Sequence, residues 1–123
     1  MMSLTEEKIT APIYFKEHND GKFILNIGEY DSAIILSTTD ILITNANINT
    51  VNDVTKEHIQ TVLSTDPEVV IIGTGTKQQI PPFAIMSELA KAGKNLDFMT
   101  SDMACKTYNV LVNENRNICC III

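Results

Sequence analysis

Two short polar segments carry the residue types from which a site could be built. The first is Gly73-Thr74-Gly75, followed by Lys77, Gln78 and Gln79. Paired glycines let the backbone approach a ligand closely, and the lysine and amides supply donors. The second is Lys106-Thr107-Tyr108-Asn109, with Arg116 downstream. Lys77 and Lys106 together could hold an anion, assisted by the Gly75 amide and by a helix starting near Pro82. The spacing around Gly73 matches neither G-x-G-x-x-G nor the phosphate loop G-x-x-x-x-G-K-S/T, so the segment also reads as a tight turn needing φ > 0. Tyr108 falls at helical spacing with Ala104 and Leu111 and is expected to pack inward. Arg116 reads both as a ligand contact and as a cation at a helix C-terminus.

Other chemistry finds less support. Cys105 lies near a helix start beside Lys106, where a thiol pKa can fall, but neither His18 nor His58 is placed to act as its base; it reads as an inert buried thiol. Cys119 and Cys120 are adjacent, so in a strand they point to opposite faces and do not pair with one another. With three cysteines, no C-x-x-C and two histidines, a metal site is not expected. No paired-carboxylate or nucleophile-elbow pattern is present. No cofactor is implied.

These segments need elements to position them. A strand over 13–16, a turn at His18-Asn19-Asp20-Gly21 and a return strand over 23–27 form a hairpin, with Phe23, Leu25 and Ile27 on one face and Gly28 ending it. Residues 32–37 and 41–44 are two further strands, and the Asn-rich stretch 45–52 is loop. Thr55 opens a helix whose capping box has His58 where Glu or Gln is usual; Ile59, Val62 and Leu63 form its stripe, and Asp66-Pro67 ends it. Residues 68–72 form a buried strand. Pro82 starts a helix with Phe83, Ile85, Met86, Leu89 and Ala90 as its stripe, stopped by Gly93. Residues 96–99 form a strand, Thr100 or Ser101 caps the next helix, and 117–123 close the chain as a strand. Continuous apolar runs suit strands covered on both faces. The expected fold is therefore α/β: three layers, with a mixed central five-stranded sheet, flanking helices and a small antiparallel hairpin layer. Residues 73–79 and 106–109 are expected to meet at one rim of it.

The chain has 123 residues and is expected to be a single domain over 1–123, with 1–10 a flexible tail. It carries a formal charge of −6 and one arginine. Phosphate and base reading lean on arginine forks, so nucleic-acid binding is disfavoured. The cysteine usage suits a reducing, cytoplasmic setting. The N-terminus lacks a signal-peptide core and the apolar runs are too short to span a bilayer, so no membrane insertion is expected.

Gly73-Thr74-Gly75, Pro81-Pro82, Met99-Thr100-Ser101, Ala104-Cys105, Thr107-Tyr108-Asn109, Leu111-Val112, Glu114 and Arg116 resemble a known pattern. It is that of the family of mitochondrial complex I assembly factor 3 and the adipogenesis-associated Mth-domain protein, with many small bacterial and archaeal members. The resemblance is strongest from about residue 68 onward. It implies a three-layer fold whose C-terminal strand runs antiparallel to its neighbours, no established enzyme activity, and, in the mitochondrial relatives, an assembly role through protein contacts. Two departures stand out: 45–48 lacks the Trp common in members, and Lys106 stands where Arg is common.

The expectation drawn from all this is a non-enzymatic interaction module with an unidentified protein partner. Its contact surface would be formed by Gly73, Thr74, Gly75, Lys77, Gln78, Lys106, Thr107, Tyr108, Asn109 and Arg116. The alternative is a small-anion pocket or enzyme using the same end. Homo-oligomerisation through an edge strand is left open.

Overall fold

The computed structural model describes residues 9–19 and 21–123, together with the backbone of Met2–Ser3. Asp20 of the expected turn, and residues 1 and 4–8 of the expected tail, lie outside the described residues. Among the described residues are two sheets, three α-helices and a short 3-10 helix at Val51–Asp53 within the expected loop. The smaller sheet is antiparallel in the order β1 (Met2–Ser3), β2 (Phe15–Asn19), β3 (Lys22–Leu25), β4 (Gly28–Tyr30). The larger contains β5 (Ile34–Ser37), β6 (Ile41–Ile43), β7 (Val69–Gly73), β8 (Asn95–Met99) and β9 (Ile118–Ile122), in the order β6-β5-β9-β7-β8. The helices are α1 (Lys56–Leu63), α2 (Phe83–Lys91) and α3 (Ser101–Asn113).

The central strands are those with unbroken apolar runs. Every residue of β5, β7 and β9 is buried, as expected of strands covered on both sides. One face of the sheet packs Ile34, Leu36, Ile71, Ile118, Cys120 and Ile122 against Ala104, Tyr108 and Val112 of α3 and against Phe15, Phe23 and Leu25 of the small sheet. The other packs Ile35, Val70, Ile72, Cys119 and Ile121 against Ile59 and Val62 of α1 and Ile85 and Leu89 of α2. Cys119 and Cys120 thus face opposite layers, as their adjacency dictates.

Connection handedness explains the layering. The path from β7 to β8 steps outward, whereas the path from β8 to β9 steps back across β7. Right-handed crossovers in opposite directions place α2 and α3 on opposite faces. The strand β9 is parallel to β7 and antiparallel only to β5. This corrects the family-based expectation of a C-terminal strand antiparallel to its neighbours: the α3 crossover returns the chain in the direction of β7.

Local readings hold with shifts. Thr55 and His58 complete the capping box: the Thr55 amide donates to His58 Nδ1 at 2.9 Å and the His58 amide to Thr55 Oγ1 at 3.3 Å. Imidazole nitrogen here does the work of a carboxylate oxygen. Gly93, at φ +73, stops α2. Gly28, expected to end the hairpin, instead opens β4 opposite Leu25, and Asn26 and Ile27 form the turn between. Ile27 therefore leaves the core face and is 53% exposed. Phe83 and Ala90 are exposed rather than part of the α2 stripe.

Candidate functional site

In an open α/β sheet, a crevice opens where neighbouring strands send their connections to opposite faces, beyond the strands' carboxyl ends. Here that point lies between β7, which leads to α2, and β8, which leads to α3. The two loops that meet there are Gly73-Thr74-Gly75 and Met99-Thr100-Ser101. Their register is set by the parallel ladder, which places Gly73 opposite Met99 and opposite Ile122 of β9.

This crevice is closed by the protein's own polar groups. The Thr74 amide donates to the Met99 carbonyl at 2.8 Å. Thr74 Oγ1 donates to the Lys77 carbonyl at 2.7 Å and accepts from the Gln79 amide at 3.2 Å, folding the loop over itself. The Ser101 amide donates to the Gly75 carbonyl at 2.9 Å, and the Gly75 amide donates to Ser101 Oγ at 2.9 Å. Ser101 Oγ in turn donates to the Ile123 carbonyl at 2.5 Å, while the Ile123 amide donates to the Gly73 carbonyl at 3.0 Å. One hydroxyl thus ties three chain segments. Gly75 has φ +101, a conformation that resists a side chain. At Gly73 the requirement is space: a Cβ would sit 3.0 Å from the Ala104 Cβ and from the Ser101 Cα.

Tyr108 and Asn109 lie further along α3 and face inward. Asn109 clamps the backbone of Phe15: its Nδ2 donates to the Phe15 carbonyl at 2.8 Å and its Oδ1 accepts from the Phe15 amide at 2.9 Å. A side-chain amide here imitates a neighbouring strand, so β2 is held to α3 by a pair of hydrogen bonds. The Tyr108 hydroxyl donates to the carbonyls of Ile13 at 2.9 Å and Ser37 at 3.3 Å. Its ring meets Phe15 edge-on at 5.3 Å. Burial pushes the Tyr108 pKa far above that of a free phenol, so the group stays neutral. Thr107 donates to Met99 Sδ at 3.3 Å. Lys106 lies 4.0 Å from Asp102 one turn earlier, and Asp102 also meets His18 Nδ1 at 3.1 Å.

Arg116 is held at the opposite end of the sheet. Its Nε donates to Glu68 Oε2 at 3.0 Å, and Glu68 immediately precedes β7, whereas Gly73 ends it. At about 3.3 Å per residue, β7 separates the two ends by roughly 16 Å. Arg116 borders a cavity of about 320 Å³ lined also by Thr10, Pro12, Thr38, Asn115 and Asn117. Its charge is already matched there by Glu68 and by the negative end of α3. Glu68 is held below the usual carboxylate range by the Asn117 amide first and by Arg116 second.

The structure therefore brings Gly73, Thr74 and Gly75 against the start of α3, leaves Lys77 and Gln78 exposed on the loop, and turns Tyr108 and Asn109 into the interior. Ser101 is the residue sequence reasoning missed. It belongs to the Met99-Thr100-Ser101 part of the resemblance but is otherwise expected only as an alternative helix cap, a role taken by Thr100, whose Oγ1 accepts from the Met103 amide at 3.4 Å. Cys105 is buried, and burial followed by the nearby Asp102 charge raises its pKa strongly; that is the reverse of a nucleophilic thiol. Cys119 is pushed up to about 11, chiefly by burial. Among the described residues no cluster of His, Cys, Asp and Glu could hold a metal ion.

The same loop carries an apolar tip. Beyond Lys77, Gln78 and Gln79 it presents Ile80, 71% exposed, and Phe83, 80% exposed, on either side of Pro81-Pro82. Phe83 is expected in the α2 stripe for its apolarity, but at 3.6 residues per turn it lies on nearly the opposite side of the helix from Ile85 and Leu89. It stands in the first turn of α2, turned away from the face that buries Ile85 and Leu89, and so is left exposed.

Layers, topology and buried hydroxyl bridges define a three-layer α/β domain of mixed parallel type. A model of the family described as "Protein of unknown function (DUF498/DUF598)" matches residues 15–123, and the chain belongs to that family. It is 56% identical over its full length, and over the full length of the relative, to the "13 kDa major membrane protein" of Francisella tularensis subsp. holarctica (strain LVS). More distant relatives are the NADH dehydrogenase (ubiquinone) 1 alpha subcomplex assembly factor 3 proteins. That of Rattus norvegicus is 23% identical over 94% of this chain and 62% of its own length. That of Drosophila melanogaster is 26% identical over 63% of this chain and 41% of its own. The chain thus spans less than two thirds of the assembly factors it matches. Among solved structures, a Bordetella parapertussis protein superimposes with a TM-score of 0.82 at 23% identity, covering 93% of this chain and 97% of its own. A Bordetella pertussis protein described as a Mth938-like domain gives 0.79 at 20% identity, covering 99% and 92%. Among the described residues no helix is long and apolar enough to cross a membrane.

Proposed function

We propose that this protein is an interaction module that docks a protein partner through the loop running from Gly75 to Phe83. The observation that carries the reading is the exposure of Ile80 and Phe83 on that loop. Isolated surface apolar side chains need no explanation, but two large ones within four residues form an anchor of the kind that concentrates binding energy. Pro81 and Pro82 fix the backbone between them, which lowers the ordering cost of docking. Lys77, Gln78 and Gln79 supply donors at the edge of the anchor. The matching partner has an apolar pocket rimmed by carbonyl or carboxylate acceptors.

The assembly role named for the distant mitochondrial relatives agrees with this reading in kind. A small-anion pocket is less well supported, because Thr74 Oγ1, the Gly75 amide and Ser101 Oγ are all engaged internally. We place the module in the cytoplasm, on its three free, buried cysteines. Recovery in a carbonate-resistant membrane fraction would contradict that location.

The test compares complexes recovered from the native host with tagged wild-type protein and with Ile80→Ser/Phe83→Ser. A stoichiometric partner lost from the double variant, but retained by Glu114→Ser at the far end of α3, is the expected result. Equal recovery by both variants would refute the dock.

A further inference from the structure

The sheet ends at β8, and the outer side of that strand is open to pairing. The Thr74 amide bonds the Met99 carbonyl, so the main-chain groups of Met99, Asp97 and Asn95 face β7. Alternation then turns the amides and carbonyls of Leu96 and Phe98 outward. Among the described residues, no hydrogen bond occupies those outward groups. Side chains alternate as well. Leu96 and Phe98 are half-buried on the α2 side of the sheet, while Asp97 stands exposed between them on the other side.

Asp97 decides what can pair here. A second copy added antiparallel in the register that uses both Leu96 and Phe98 is centred on residue 97. It would set Asp97 directly opposite its own counterpart, at a non-hydrogen-bonded position where side chains are closest. Like charges directly opposite are destabilising. A charge at the middle of an edge strand guards that edge against its own kind. The same carboxylate favours a strand with a cation at that position.

We infer that β8 accepts an extended segment of a partner protein, with a lysine or arginine opposite Asp97 and apolar residues on each side of it opposite Leu96 and Phe98. Main-chain pairing supplies the attachment, and the central charge supplies selection. The inference goes beyond the loop dock and does not require it.

The probe is a labelled pentapeptide, acetyl-Thr-Val-Lys-Val-Thr-amide, with two controls: Lys replaced by Glu, and both Val amides N-methylated. Binding is read by fluorescence anisotropy, and exchange of the Leu96 and Phe98 amides by NMR. The Lys peptide should bind about fivefold more tightly than the Glu peptide, slow exchange at Leu96 and Phe98, and lose binding on N-methylation. Asp97→Lys should invert the preference between the two peptides. Absence of binding at about 1 mM, equal affinity for both charges, or full binding of the methylated peptide would overturn the inference. Exchange protection that rises with protein concentration, without peptide, would assign the edge to a second copy and likewise overturn it. Ile80→Ser/Phe83→Ser should leave peptide binding unchanged, so failure here and failure of the loop dock are separate results.

Discussion

The rim at Thr74, Gly75 and Ser101 and the tip at Ile80 and Phe83 belong to adjoining parts of one loop system, yet they solve opposite problems. The rim is polar and buried, and its hydrogen-bonding groups are spent inside the molecule. The tip is apolar and exposed, and its large side chains are left without a core. Polar motif residues at the mouth of an α/β sheet suggest chemistry, but satisfied hydroxyls there hold strands together. The unsatisfied part is the apolar one.

That contrast can be broken by substitution. The largest stability loss should come from Asn109→Leu, which strands the Phe15 amide and carbonyl in the interior. At about 1–3 kcal/mol for each buried group left unpaired, the loss should be roughly 3 kcal/mol in urea unfolding. Gly73→Val should follow at about 2 kcal/mol, because the added carbons meet Ala104 and Ser101 at a distance too short for comfortable contact. Ser101→Ala should cost about 1 kcal/mol, since the Gly75 amide and Ile123 carbonyl lose their shared partner. Phe83→Ser should change stability by less than about 0.5 kcal/mol while removing the partner. A stability loss at Phe83 as large as that at Ser101 would erase the distinction between tip and rim.

A smaller effect concerns the opposite end. The carboxyls of Asp66 and Glu68 are held below their usual range, Asp66 first by its hydrogen bond to Lys94 and Glu68 first by that to the Asn117 amide. For a depressed carboxylate, the stabilisation is present above the unfolded pKa and is lost as the pH falls through the folded one. Stability should therefore decline below about pH 4.5, and Glu68→Gln should flatten that decline. A Glu68→Gln protein with an unchanged acid profile would contradict the assignment.

Much of the architecture was legible because it rests on period and run length. The buried strands β7 and β9, the stop at Gly93 and the Thr55 cap follow from residue type and near neighbours alone. The strand β4 was not, since Gly28-Glu29-Tyr30 is short and has no alternating apolar pattern; pairing with β3 forms it. The direction of β9, taken from the family resemblance alone, differs because the α3 crossover sets it parallel to β7, which no local pattern records. At the site, residues 73–79 are expected to meet 106–109, whereas residues 73–75 meet the start of α3 instead and Asn109 turns inward. Its partner is the backbone of Phe15, ninety-four positions away, and backbone carries no sequence signal. Phe83 enters the expected α2 stripe on apolarity, whereas helical spacing already sets it away from Ile85 and Leu89.

The most direct measurement is photo-crosslinking in the native host with p-benzoylphenylalanine at position 83, 80 or 114. The account predicts one discrete protein adduct from positions 83 and 80 and none from 114, with the position-83 adduct lost on Ile80→Ser. Adducts of equal yield from all three positions, or none from position 83, would contradict it.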